Sequence, residues 1–377
     1  MGKRKRRANK GTKIRVDLRR NRSRPGRVSD WTRRARDAEG HELDAERSEH
    51  IAAKGALSRR RTIVLHDDSE DAARVFREGT AVAMRGLYVD VDDGERVWPC
   101  TVRRMLRTRL TEERHPVTVG DRVRFTIGPP TEGGEREGVV EAVAPRTGLL
   151  RRRAGRRIHT IVANVDQAVI VTSARQPAPK SHLIDRYIVA ALAGGITPVV
   201  CMNKMDLATD GAVSAMLDVY ARLGYVVLAT SVLEDRGINE LRETLKGNVS
   251  VLAGQSGVGK SSLANALQPG LRLRVADISA QVQKGRHTTA TSIMLRLDFG
   301  GYLVDTPGVR SFDISTVARN ELEACFVEFV EHVRNCRFPN CSHRHEEDCA
   351  VKQAVESGEI HRGRYESYVR LFEEAGA

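Results

Sequence analysis

A phosphate loop in this chain lies downstream of a base-reading motif, the reverse of the usual order. Gly254-Gln255-Ser256-Gly257-Val258-Gly259-Lys260-Ser261 has the Gly-x4-Gly-Lys-Ser form of a Walker A loop. Asn203-Lys204-Met205-Asp206 has the NKxD form that reads guanine, and it stands upstream. In an ordinary guanine-nucleotide domain NKxD comes after the phosphate loop. The same set of parts can survive the reversal only if the chain is joined and cut at different places, so the order predicts a circular permutation. Permutation keeps the nucleotide fold but moves the chain ends. It thereby changes which neighbouring domain is attached to which nucleotide-sensing loop.

The length of 377 residues predicts two or three domains, and 40% apolar residues suffice for real cores. No apolar run approaches the roughly 18 residues of a membrane span. The N-terminal charges have no apolar stretch behind them, which argues against a secretory signal. Six cysteines, four of them after position 320, do not form a secreted disulfide frame, so a reducing, cytoplasmic setting is expected. The net charge of +13 resides entirely in residues 1–61, which hold 21 Lys or Arg against 8 Asp or Glu, while the other 316 residues hold 41 of each. Apolar residues there are too sparse to offset the entropy of ordering, so 1–61 are expected to be largely disordered. Such a tail suits polyphosphate, because each neutralised phosphate releases counterions. RNA is the expected partner, rather than DNA or a membrane. The plainer alternative is a solvated tail.

Residues 1–77 read as this basic extension and a linker. Over 78–153 short alternating stretches, Ala81–Met84, Leu87–Val91, Arg96–Val102, Arg122–Ile127 and Gly138–Val143, are punctuated by Gly, Pro and Asp. They predict a small β-barrel, most often an OB-fold, which either reads oligonucleotides or merely docks on its neighbour. Few aromatics are present to stack bases. Over 154–314 buried strands alternate with helices, which predicts a mostly parallel sheet covered on both faces. Over 315–377 Leu322, Phe326, Val330 and Val333 recur at helical spacing, a Cys/His loop follows, and Arg364–Glu374 closes the chain as a helix.

The phosphate loop follows a predicted strand and precedes helix-forming Leu263–Leu267, the context that the motif requires. Its glycines let backbone N–H groups close around phosphates. Lys260 is expected to reach the β- and γ-phosphates, Ser261 to bind Mg2+, and Ser262 to help with the α-phosphate. Asp305-Thr-Pro-Gly308 has the form of the second metal and γ-phosphate motif, with Asp305 holding Mg2+ through water and the Gly308 N–H sensing the γ-phosphate. Asp206 accepts from the guanine ring N–H and amine, which adenine does not offer. Asn203 and Lys204 hold the loop and cover the ring, and Thr230-Ser231 supplies the weaker fifth element. Gly285-Arg-His-Thr-Thr289 lies where the first switch belongs; Thr289 is preferred for Mg2+, with Thr288 as the alternative. Val309 stands where many GTPases carry a Gln that orients the attacking water, which makes His287 a candidate for that task. The alternative for His287 is a switch side chain that touches RNA or nothing.

Cys336-x4-Cys341-x-His343-x5-Cys349 matches a closed Cys3His zinc site, with His345 as a possible substitute for His343. Its alternative is a set of free thiols beside a helix. Cys100, Cys201 and Cys325 fall in apolar patterns and read as core.

NKxD, the phosphate loop, Gly285–Thr289, Asp305–Gly308 and the Cys3His spacing, in that order, resemble the ribosome small-subunit-dependent GTPase A family. The resemblance spans roughly 78–377 and includes Val119-Gly-Asp-Arg-Val-Arg-Phe125. It implies three parts: a β-barrel of OB-fold type, a circularly permuted α/β P-loop GTPase domain, and a small α-helical zinc-binding domain. It further implies GTP as substrate, Mg2+, one structural Zn2+, and late assembly of the 30S subunit through 16S rRNA, with GTP hydrolysis driving release. A monomer is expected. Ala290 stands where the family often has a third Thr, and the long basic tail exceeds the family pattern. The competing reading is a GTP-gated RNA clamp or stress sensor whose hydrolysis is incidental. In the permuted order the second switch leads straight into the zinc domain, so loss of the γ-phosphate is expected to move that domain.

Overall fold

The computed structural model describes residues 12–17, 51–52, 60–65, 75–103, 116–130, 136–154, 157–209, 211–271, 292–305, 314 and 317–375. Strands β1 (Thr12–Asp17), β2 (Ile51–Ala52) and β3 (Arg60–Leu65) pair antiparallel in the order β1-β3-β2. Thr12-Lys-Ile-Arg-Val and Arg61-Thr-Ile-Val-Leu65 are rich in β-branched residues, which favour strands, and the register pairs Ile14 with Ile63.

The barrel is closed by β4 (Phe76–Arg85), β5 (Tyr88–Asp92), β6 (Val97–Val102), β7 (Arg122–Pro130) and β8 (Arg136–Val143), in the order β4-β5-β6-β8-β7. Period-2 alternation sends Val123 and Phe125 inward and Arg122 and Arg124 outward. Ala81, Val89, Val91, Cys100 and Val140 complete the core. Gly138 is required where β6 and β8 run parallel, because a Cβ there would sit 2.5 Å from the Cys100 sulfur. The barrel ends at Val143. Beyond it, β9 (Leu150–Ala154) and β10 (Arg157–Val162) form a separate hairpin.

The next sheet has six strands: β11 (Gln167–Ser173), β12 (Thr197–Asn203), β13 (Val226–Ala229), β14 (Val249–Ala253), β15 (Ile293–Arg296) and β16 (Tyr302–Asp305). Their order is β13-β12-β11-β14-β16-β15, and the edge strand β15 runs antiparallel to β16. β11 is buried along its whole length, because both faces are covered. Helices α1 (Ser181–Ala193) and α2 (Ala212–Arg222) seal one face with Ile184, Tyr187, Ile188, Leu217 and Tyr220. Helices α3 (Ile238–Leu245) and α4 (Lys260–Leu267) seal the other with Leu241, Leu245, Leu263 and Leu267. The carboxyl ends of β12, β14 and β16 share one edge, where open α/β sheets bind ligands.

The C-terminal part packs Leu322, Phe326, Phe329, Tyr368 and Leu371 around one core that also takes Val189 from α1. The single helix expected through Leu322 and Val333 is corrected to four short turns, Arg319–Leu322, Glu323–Cys325, Val327–Phe329 and Val330–Val333. Phe326 adopts an extended backbone (φ −106°, ψ 91°), which lets both Phe326 and Phe329 enter the core and leaves Val330 half exposed. Helices α5 (Ala350–Ser357) and α6 (Arg362–Glu374) follow. The buried Arg364 of α6 is bound by Asp185 of α1 and by Glu328. On the opposite flank the Tyr302 hydroxyl donates to Asp92 of the barrel at 2.9 Å, and Arg296 donates to the Gly94 carbonyl.

Candidate functional site

Strand β14 delivers the chain into a loop that only glycines can build. Gly254 has φ +138° and an added Cβ would fall 2.0 Å from the Val171 carbonyl oxygen. Gly259 has φ +96° and its Cβ would fall 2.4 Å from the Asn203 amide nitrogen. Val258 between them is buried, whereas Gln255, Ser256, Gly257, Ser261 and Ser262 are exposed. The Lys260 ammonium curls back over the loop and donates to the carbonyls of Gly254 and Gln255, each at 2.8 Å. Burial lowers its pKa, because the charged form loses hydration there.

The NKxD segment is tied to the Gly254–Ser261 loop by side chains of Asn203 and Lys204. Asn203 ends β12 fully buried, donates to the Val258 carbonyl at 2.9 Å and accepts from the Thr230 hydroxyl at 3.1 Å. Lys204 takes a left-handed backbone (φ +58°) and donates to the carbonyls of Gln176 at 2.6 Å and Gly257 at 2.7 Å. The Met205 N–H donates to the Thr230 carbonyl, and the Ser231 hydroxyl donates to the Asp206 carboxylate at 2.5 Å. The turn at Gln176 was not legible in the sequence. Its left-handed φ of +54° has no residue signature, and only Pro177 beside it hints at a turn. Asp305, at the end of β16, is half-buried, and burial raises its carboxyl above the ordinary range. His287, Thr288, Thr289, Gly308 and Val309 lie outside the described residues.

The four residues Cys336, Cys341, His343 and Cys349 bring one ligand atom each to within 4.8 Å of one another. Nδ1 of His343 is 3.5 Å from the Cys336 sulfur and 3.4 Å from the Cys349 sulfur, while the two sulfurs stand 4.0 Å apart. These separations fit a tetrahedral ion with bonds of about 2.0–2.3 Å. Burial and the neighbouring sulfurs push the Cys341 thiol up to about 12. His343 is buried and His345 exposed, so His343 is the imidazole that joins the thiols. Cys100, Cys201 and Cys325 are buried elsewhere, and burial pushes their thiols up to about 12, 11 and 11.

Comparison with known proteins agrees with this geometry. A model of the RsgA GTPase family matches residues 143–315. The small ribosomal subunit biogenesis GTPase RsgA of Thermotoga petrophila is 42% identical over 304 residues, 79% of this chain and 96% of that protein. The one from Chlorobaculum tepidum is 41% identical over 301 residues, covering 78% of this chain and 96% of that protein. The crystal structure of YjeQ from Thermotoga maritima superposes with a TM-score of 0.65 at 38% identity, covering 80% of this chain and 98% of that one. YloQ, described as a circularly permuted GTPase, superposes with a TM-score of 0.63 at 32% identity, covering 80% and 95%. With relatives of this identity matched along nearly their whole length, the chain belongs to the RsgA GTPase family.

Proposed function

We propose that this GTPase acts in the biogenesis of the small ribosomal subunit, hydrolysing GTP to GDP and phosphate to leave the subunit. The observation that carries the nucleotide reading is the pair of ties from Asn203 and Lys204 to the phosphate loop, which join the NKxD segment to the phosphate cradle. The names of the relatives carry the ribosomal part. Asp206 accepts the guanine N–H groups, Gly254 to Ser262 wrap the phosphates, Lys260 meets the β- and γ-phosphates, and Ser261, Asp305 and Thr289 hold Mg2+. Gly308 senses the γ-phosphate and His287 orients the attacking water. Held by Ser261, Asp305 and Thr289, Mg2+ would supply neutralisation of the charge that develops on the phosphates. Cys336, Cys341, His343 and Cys349 hold one structural Zn2+, for which the donor set and spacing fit. The protein acts as a cytoplasmic monomer, and its basic tail contacts 16S rRNA.

Loss of the γ-phosphate is expected to move the zinc domain, and that movement works against the tie from Arg364 of α6 to Asp185 of α1.

The test is GTP hydrolysis with and without purified small subunits at two salt concentrations, using the full chain and a version lacking residues 1–61. A large, salt-sensitive stimulation that falls on truncation supports the reading. GTP binding without stimulation overturns the ribosomal part.

A further inference from the structure

Among the described residues, the carboxylate of Glu323 meets the outer nitrogen of His343. The His343 ring directs Nδ1 at the sulfurs of Cys336 and Cys349, so its outward nitrogen is Nε2, which stands 3.0 Å from Oε2 of Glu323. The ring is boxed in by Phe329 at 6.0 Å and Tyr368 at 6.2 Å between centroids, and the Tyr365 hydroxyl donates to the His343 carbonyl at 2.8 Å. The imidazole is therefore held between two rings, with Glu323 as its outer partner among the described residues. A carboxylate that accepts from the outer N–H leaves Nδ1 unprotonated and makes it a stronger donor.

We infer that Glu323 is a positioning residue of the metal centre, holding His343 in the tautomer and orientation that bind the ion. This rests on the Cys3His reading above. Glu323 lies in the turn Glu323–Cys325, upstream of the Cys336–Cys349 loop that supplies the four ligands. Its side chain keeps 38% exposure, so replacing it opens no cavity.

The test uses the full-length protein and the substitutions Glu323→Gln, Glu323→Ala and Glu323→Asp. Zinc content, zinc release to a colorimetric chelator and the visible spectrum of the cobalt-substituted protein are measured, with helix content as the folding control. Glu323→Gln and Glu323→Ala are expected to bind zinc about 10–100-fold more weakly and to shift the cobalt bands, with Glu323→Asp restoring part of both. Should Glu323→Ala fail to fold, the isosteric Glu323→Gln carries the measurement. Wild-type zinc retention and an unchanged cobalt spectrum in Glu323→Gln would make the contact a surface ion pair only and overturn the inference. Native protein that holds no zinc and takes up no cobalt overturns the metal-centre reading itself, and this inference with it.

Discussion

The guanidinium of Arg364 and the carboxylate of Asp185 meet at 2.6 Å between the last helix and α1, with side-chain exposures of 2% and 0%. Glu328 takes the other edge of the guanidinium at 2.7 and 3.1 Å, and the Tyr220 hydroxyl donates to Asp185 at 2.9 Å. Desolvation opposes the charge on Arg364, but two carboxylates outweigh it and hold the guanidinium protonated. The C-terminal part is thus bolted to the helices that follow β11 and NKxD.

Replacing Arg364 with Ala strands two carboxylates in an apolar interface. The expected loss is about 3–5 kcal/mol, read from urea denaturation of the full chain. Arg364→Lys keeps the charge but not the planar fork, so it should fall between Ala and wild type. Adding Asp185→Asn to Arg364→Ala should recover part of the loss, because one stranded charge is then removed. A loss below about 1 kcal/mol for Arg364→Ala would show that the interface does not depend on the pair.

Gly259→Ala should leave the sheet and α4 folded while impairing nucleotide binding. The new Cβ lands 2.4 Å from the Asn203 amide at a backbone φ of +96°, so the tie between the two nucleotide loops must give way. Titration with a fluorescent GTP analogue should show at least about a tenfold loss, equivalent to about 1.4 kcal/mol. An unchanged Kd would mean that the Asn203 contact does not set the pocket.

Asp206→Asn exchanges an acceptor for a mixed donor and acceptor. Affinity for GTP should fall about a hundredfold or more, while affinity for xanthosine triphosphate, whose base presents a carbonyl in place of the amine, should rise. Competition titration with both nucleotides reads the exchange. Equal loss for both would indicate damage to the loop, where Ser231 donates to this carboxylate.

Asp93 joins the barrel turn to Trp98. Desolvation pushes its carboxyl up, but donation from Arg96 N, Trp98 Nε1, Glu95 N and Arg77 wins, and it lies well below the usual carboxylate range. A depressed folded pKa means that the contribution is present above the unfolded value of about 3.9 and is lost as pH falls below it. Melting temperature should therefore fall more steeply between about pH 4 and pH 2 in wild type than in Asp93→Asn. Parallel profiles would remove Asp93 from acid stability.

What the sequence determined by itself is local. The glycine spacing at 254–259, the period-2 alternation of Val123 and Phe125, the uninterrupted apolar run of β11 and the Cys/His spacing each express a constraint carried by neighbours in the chain. What only the tertiary structure decided is pairwise and distant. Arg364 and Asp185 are 179 positions apart, and Tyr302 and Asp92 are 210 apart. Lys204 reaches Gln176, and Glu323 reaches His343, across separate elements. Periodicity predicted one helix through Phe326, but the core needed both Phe326 and Phe329, and burial of two rings outweighed helical spacing. Local patterns record what a segment does against any apolar surface. Which surface it meets, and which charge waits there, depends on the packing of elements whose spacing in the chain carries no trace of their spacing in the fold.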